Sequence, residues 1–186
     1  WHEHIKYARG KGKQPCIIAP WGHGKTQQVI VLNALWEIGK NPNIRIKIVC
    51  NDDENARARV RAIARYIERD EDYHAIFPNI RPGAKEKWTQ HEIFVERTGG
   101  ARSIDPTVQA KGILTTGIGG RCDLLLFDDI VDLRNAVENV ALQPKVIDAF
   151  KNTWMSRLTA TGRSYYIATR WTESDCTAAL LNDPEL

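Results

Sequence analysis

Three short stretches of this chain hold residue types at spacings that could do chemistry. The first is Ala19-Pro20-Trp21-Gly22-His23-Gly24-Lys25-Thr26. It follows an apolar run, Cys16-Ile17-Ile18, and precedes a segment of helical character that begins at Gln27. A strand, a glycine-rich loop and a helix in that order make a phosphate cradle. The loop N–H groups and the helix N-terminus point at the polyphosphate oxygens. In such a P-loop the Lys25 ammonium reaches the β- and γ-phosphates and the Thr26 hydroxyl ligates Mg²⁺. Pro20, Trp21, Gly22, His23, Gly24 and Gln27 complete the expected nucleotide-binding set. The pattern GxxxxGK[ST] asks for glycine where this chain has Ala19. A glycine-rich turn before an ordinary amphipathic helix is the plain alternative.

The second stretch is Leu124-Leu125-Leu126-Phe127-Asp128-Asp129. Four apolar residues suit a strand buried on both faces, and two carboxylates emerge at its C-terminal end. Ligands of open α/β sheets bind at the carboxyl ends of strands. Asp128 is thus expected to hold Mg²⁺, and Asp129 to orient and activate the attacking water. Alone, the stretch reads better as a strand ending in an Asp-rich turn; the glycine loop upstream reverses that and favours the metal reading. The third stretch, Tyr165 to Trp171, ends a strand in Thr169-Arg170, where a polar side chain could sense the terminal phosphate. The plain reading there is a strand terminus.

These groups need a scaffold that ends several strands side by side. Strands are expected at 15–19, 44–50, 91–97, 111–116, 124–127 and 164–169. Helices are expected at 25–39, stopped by Gly39, at about 53–69 behind a cap at 51–53, across a helical region 133–158 with room for an interruption before Pro144, and at 174–182 with Ser174 as N-cap. Residues 1–14 read as a polar lead-in in which Trp1, His2, Tyr7 and Gln14 are available to an adenine, and 70–90 reads as irregular. Strands alternating with helices imply an α/β fold with a mostly parallel central sheet flanked by helices. Arg57, Arg61, Arg65 and Arg69 recur every four residues on one helix face. That ridge could meet DNA phosphates or a neighbouring subunit, or be a solvated face.

At 186 residues, with 42% hydrophobic and 26% charged residues, the composition is that of one sizeable globular domain. A net charge of +3 is compatible with nucleic acid and too small to argue for it. No apolar run approaches the roughly 18 residues of a membrane span. The four cysteines lack metal-ligand spacing and are expected to be reduced core residues of a cytosolic protein. Trp1 in place of an initiating Met, and the loop-like ending at 182–186, lead us to expect a segment of a longer protein with a further C-terminal domain.

Taken together, the three stretches resemble the ATPase domain of the large terminase subunit, the DNA-packaging motor of tailed bacteriophages. Residues Ala19 to Thr26 are similar to that family's Pro-Arg-Gly-His-Gly-Lys-Ser/Thr loop. The run Asp105 to Gly112, then Thr116 to Asp123, resembles the approach to its Walker B strand, which Leu124 to Asp129 would form. Ala168-Thr169-Arg170-Trp171, followed by Ser174-Asp175, resembles its motif III, which couples hydrolysis to movement. The resemblance covers nearly the whole chain in the family's order. It implies a single P-loop ATPase domain over 1–186, of ASCE/RecA-like type, with ATP and Mg²⁺ as ligands. Gly22, Gly24, Lys25 and Thr26 fall in the nucleotide loop, Asp128 at the metal carboxylate, Asp129 at the catalytic acid, and Thr169 and Arg170 in the coupling motif.

It also implies partners: double-stranded DNA held through its phosphates, a homo-oligomeric ring on the capsid portal, the small terminase subunit, and a C-terminal nuclease domain that this chain lacks. The expected setting is the host cell cytoplasm, with no membrane. Where many members carry arginine in the loop, this chain has Trp21, so an arginine must come from elsewhere, such as a neighbouring subunit; Arg121, then Arg102, are the candidates, and Arg121 could equally be structural, pairing Asp123 or the sheet edge. Another P-loop nucleic-acid motor, helicase-like or partitioning, and a nucleotide-gated assembly module with little turnover are the rival readings.

Overall fold

The computed structural model describes residues 1–84, 86–99, 103–116 and 119–182. Its strands are β1 (Cys16–Ile18), β2 (Ile46–Cys50), β3 (Glu92–Ile93), β4 (Val108–Gly112), β5 (Cys122–Asp128) and β6 (Leu158–Ala168). They form one six-stranded sheet in the order β1-β6-β5-β2-β4-β3. Every neighbouring pair is parallel except β3 with β4. The α-helices are α1 (His2–Gly10), α2 (Asn33–Lys40), α3 (Asp53–Arg69), α4 (Glu71–Ile76), α5 (Gln143–Asp148) and α6 (Cys176–Leu181). Among the described residues no helix is long and apolar enough to cross a membrane.

Side chains alternate across a strand, so each central strand feeds two cores. Ile46, Ile48, Leu124, Leu126, Tyr165 and Ile167 face one core, with α2 and α3 residues. Val49, Leu125, Phe127, Tyr166 and Ala168 face the other, with Val146 of α5 and Leu180 of α6. On α3 the stripe Ala56, Val60, Ile63 and Ile67 is buried, the 4-3-4 spacing of a helix lying on a sheet. Asp52 caps α3, its carboxylate accepting from the Asn55 N–H at 2.8 Å.

Several expectations need correction. The lead-in is not wholly irregular: α1 buries Ile5 and Ala8, and Arg9 reaches Glu37 of α2 at 3.4 Å. The expected helix 25–39 is a wide π-type segment, Thr26–Leu32, followed by α2. Gly39 lies inside α2 instead of ending it, because the Phe77 ring rests where its Cβ would stand, 2.5 Å away. Part of 70–90 is α4, whose cap is the Asp70 carboxylate accepting from the Tyr73 N–H at 2.7 Å. The expected strand 111–116 is β4, which ends at Gly112. Only two residues of 91–97 join the ladder as β3. The helical region expected across 133–158 is interrupted just before Pro144, where α5 begins, and is further divided into short π, 3₁₀ and α segments that end at Arg157. The final helix takes its cap from Asp175, not Ser174, with the Ala178 N–H donating to its carboxylate at 3.0 Å.

Candidate functional site

The loop after β1 turns through two glycines with positive φ, Gly22 (78°) and Gly24 (70°), a conformation that L side chains resist. The turn leaves Trp21 exposed at 67%, and His23 Nδ1 donates to the Trp21 carbonyl at 3.0 Å. Lys25 points inward and is only 5% exposed. A buried ammonium needs partners, and two come from other strands. Lys25 Nζ donates to Thr169 Oγ1 at 2.7 Å and pairs with Asp129 at 3.2 Å.

Sheet order explains why these residues meet. Strand β6 lies between β1 and β5, and the three strands finish at one level. The Ala19 N–H donates to the Ala168 carbonyl at 3.1 Å, and the Asp129 N–H to the Ile167 carbonyl at 2.9 Å. The Thr169 N–H then donates to Asp129 Oδ1 at 2.8 Å. Asp129 is the only described non-glycine residue with positive φ, at 48°. Asp tolerates that left-handed region better than most residues, and here it turns the carboxylate back toward Lys25 and Thr169.

Asp128, at the end of β5, is fully buried. Thr26 Oγ1 donates to its Oδ1 at 3.0 Å, and Arg59 Nε donates to its Oδ2 at 2.8 Å. Burial pushes the Asp128 carboxyl above the ordinary carboxylate range; Arg59 and Thr26 pull against that rise and Asp129 adds to it. Burial also works against the Arg59 cation, but the charge and hydrogen bond of Asp128 together with the nearby Cys50 and Asp129 outweigh it and raise the guanidinium.

Beside this cluster, Trp21, Asp129, Arg59, Asp132 and Trp171 line an open pocket of about 230 Å³. The Trp21 and Trp171 rings meet edge to face with centroids 5.6 Å apart. Asn51 donates to Asp132 at 2.8 Å and Asn55 to Asn51 at 2.9 Å, which ties the loop after Asp129 to the start of α3.

The structure thus brings Lys25, Thr26, Asp128, Asp129 and Thr169 together. Other expected residues lie apart. Gln27 donates to the Tyr66 hydroxyl at 3.1 Å, on α3. Arg170 turns back on its own loop, reaching the Thr172 carbonyl at 3.0 Å and Asp175 at 3.6 Å. Arg121 precedes β5, at the opposite end of that strand from Asp128, and donates to the carbonyls of Ser156 and Leu158 at 3.0 and 3.3 Å. It does not pair with Asp123, whose partner is Arg45 at 2.8 Å. Arg102, Gly117 and Ile118 lie outside the described residues. On the arginine ridge, Arg57 and Arg61 are paired with Glu54 at 3.6 and 2.9 Å, so that face is partly neutralised.

Arg59 was not anticipated, although its position carried a signal. The 4-3-4 spacing of the α3 stripe sets position 59 three after Ala56 and four before Ile63, on the sheet-facing side. An arginine there requires a buried anion.

Among the described residues no group of three or more His, Cys, Asp or Glu is arranged to hold a metal ion. Cys50, Cys122 and Cys176 are buried free thiols, and the Cys16 thiol is only partly buried. Comparison with protein-family models yields no family that matches the chain, and comparison with curated proteins yields no match.

Proposed function

We propose that this chain is a Mg²⁺-dependent ATP hydrolase of the P-loop, ASCE type, and that its turnover drives double-stranded DNA into a viral procapsid. The observation that carries the hydrolase reading is the meeting of Lys25, Thr26, Asp128, Asp129 and Thr169 at the ends of β1, β5 and β6, from positions as much as 144 residues apart. Mg²⁺ takes hard oxygen ligands, with one or two from protein and the rest from phosphate and water. Thr26 and Asp128, already 3.0 Å apart, fit that pattern and would hold it. Bound there, the metal supplies neutralisation of phosphate charge.

The chain's own residues do the rest. The loop N–H groups and Lys25 bind the phosphates; Asp129, aimed by the Thr169 N–H, orients a water and accepts its proton. Thr169, bonded to both Lys25 and Asp129, is suited to register loss of the terminal phosphate. Catalysis of this kind is mostly positioning and electrostatics. The packaging half of the proposal is supported by the ordered resemblance of the three motifs. It entails a ring on the capsid portal, the small terminase subunit and a nuclease domain as partners, and DNA contacts to phosphates that weaken with salt.

Phosphate release by the purified protein tests this reading, with Lys25→Ala and Asp129→Asn alongside and DNA added at two salt concentrations. Turnover is expected to vanish in Lys25→Ala and to fall by about 10²–10⁴ in Asp129→Asn, with DNA stimulation lost at high salt. ATP binding without Lys25-dependent turnover, even with DNA and full-length neighbours present, would sink it in favour of a nucleotide-gated assembly module.

A further inference from the structure

The charges at the strand ends balance without any ligand: Lys25 pairs with Asp129 at 3.2 Å and Arg59 with Asp128 at 2.8 Å. A divalent cation and the Arg59 guanidinium would compete for one buried carboxylate. A guanidinium released from Asp128 stays in a water-poor place and needs another anion. It already lines the pocket that Asp129 and Trp21 border, on the glycine-loop side of the sheet. Trp21 leaves that loop with no arginine of its own, while Arg121 is engaged by the carbonyls of Ser156 and Leu158.

We propose that Arg59 is an intramolecular arginine for the terminal phosphate: it holds Asp128 while no nucleotide is bound and turns to the γ-phosphoryl oxygens when a metal–triphosphate is bound. This rests on the hydrolase reading above and removes the need for a neighbouring subunit to supply the arginine. Planar guanidinium groups suit such oxygens because they donate in pairs. The exchange also makes the site selective, since only a ligand carrying a third phosphate repairs the charge that Arg59 gives up.

The test is a binding comparison. Mg²⁺·ATPγS and Mg²⁺·ADP are titrated against a fluorescent nucleotide analogue on the wild-type protein, Arg59→Lys and Arg59→Met. The expected result is a loss of at least tenfold in ATPγS affinity (about 1.4 kcal/mol) with ADP affinity changed less than threefold. A residue that only braces the loop would weaken both nucleotides alike, and that outcome overturns the proposal, as does an unchanged ATPγS affinity. Arg59→Lys keeps the cation beside Asp128 and carries the test if Arg59→Met does not fold. Mixing Arg59→Met with Lys25→Ala protein gives a second check: turnover stays lost if the arginine acts within its own chain, and recovery overturns that assignment. If the wild-type protein binds neither nucleotide, the hydrolase reading itself fails; if it binds both and the variants discriminate as it does, only the role of Arg59 fails.

Discussion

Asp129 shows how a single backbone angle can build part of a site. Its φ of 48° bends the chain just after β5, so that successive carboxylates serve different partners: Asp128 faces Thr26 and Arg59, and Asp129 faces Lys25 and Thr169. Left-handed conformation costs a residue with an ordinary Cβ about 1–2 kcal/mol, and glycine avoids that cost. Replacing Asp129 by Ala and by Gly removes the same carboxylate in both cases. Urea unfolding is therefore expected to find Asp129→Gly more stable than Asp129→Ala by about 1 kcal/mol. The opposite order would mean that the bend is not strained. The carboxylates, the lysine and the threonine were all legible in the sequence because their motifs are local. The α3 spacing marks position 59 as sheet-facing but does not name its partner, since Asp128 is 69 positions away and only the packing of α3 on β2, the neighbour of β5, brings the two together.

Elements were legible where one face is continuously apolar, and less so where a neighbour sets the boundary. The helix expected at about 53–69 is α3, and the apolar run at 124–127 lies within β5. The end of β4 does not. A Cβ on Gly112 would lie 2.9 Å from the Asp53 backbone nitrogen, so the strand stops where the α3 N-terminus passes close by. The Gly112 N–H donates to Asp53 Oδ1 at 2.6 Å and the Thr115 hydroxyl to the same oxygen at 2.9 Å. Nothing local to 111–116 announces a helix that starts some 60 positions earlier. Gly39 is a similar case, set by the Phe77 ring. Gly112→Ala is expected to destabilise the fold by about 1–3 kcal/mol through that overlap, measured as a shift in the urea midpoint at unchanged slope. A neutral Gly112→Ala would show that the strand and helix can separate at no cost.

Across the whole molecule, the sheet is anchored at its two ends by different chemistry. The C-terminal ends of β1, β5 and β6 hold the Lys25–Asp129 and Arg59–Asp128 pairs. At the opposite end, Arg45 grips Asp123 through Nε at 3.0 Å and Nη2 at 2.8 Å, and lies 3.5 Å from Asp105. The Thr159 hydroxyl adds a bond to Asp123 at 3.1 Å, so β2, β5 and β6 are joined there. Burial works against ionisation of Asp123, but the hydrogen bonds and charge of Arg45, with Thr159, hold its carboxyl below the ordinary range. An unfolded aspartate titrates near 3.9, so between the two values the unfolded chain binds more protons than the folded one. Stability from this group is therefore complete above about pH 5 and is lost as pH falls through the depressed native value. Asp128, raised by burial, contributes with the opposite sign, so the total acid slope is a sum and only a difference isolates Asp123. Asp123→Asn is expected to lower stability at pH 7 and to flatten the dependence of unfolding free energy on pH between about 5 and 2. Urea midpoints measured across that range for both proteins check it. Curves that run parallel for the wild type and the variant would mean that Arg45 and Asp123 do not clamp the sheet in solution.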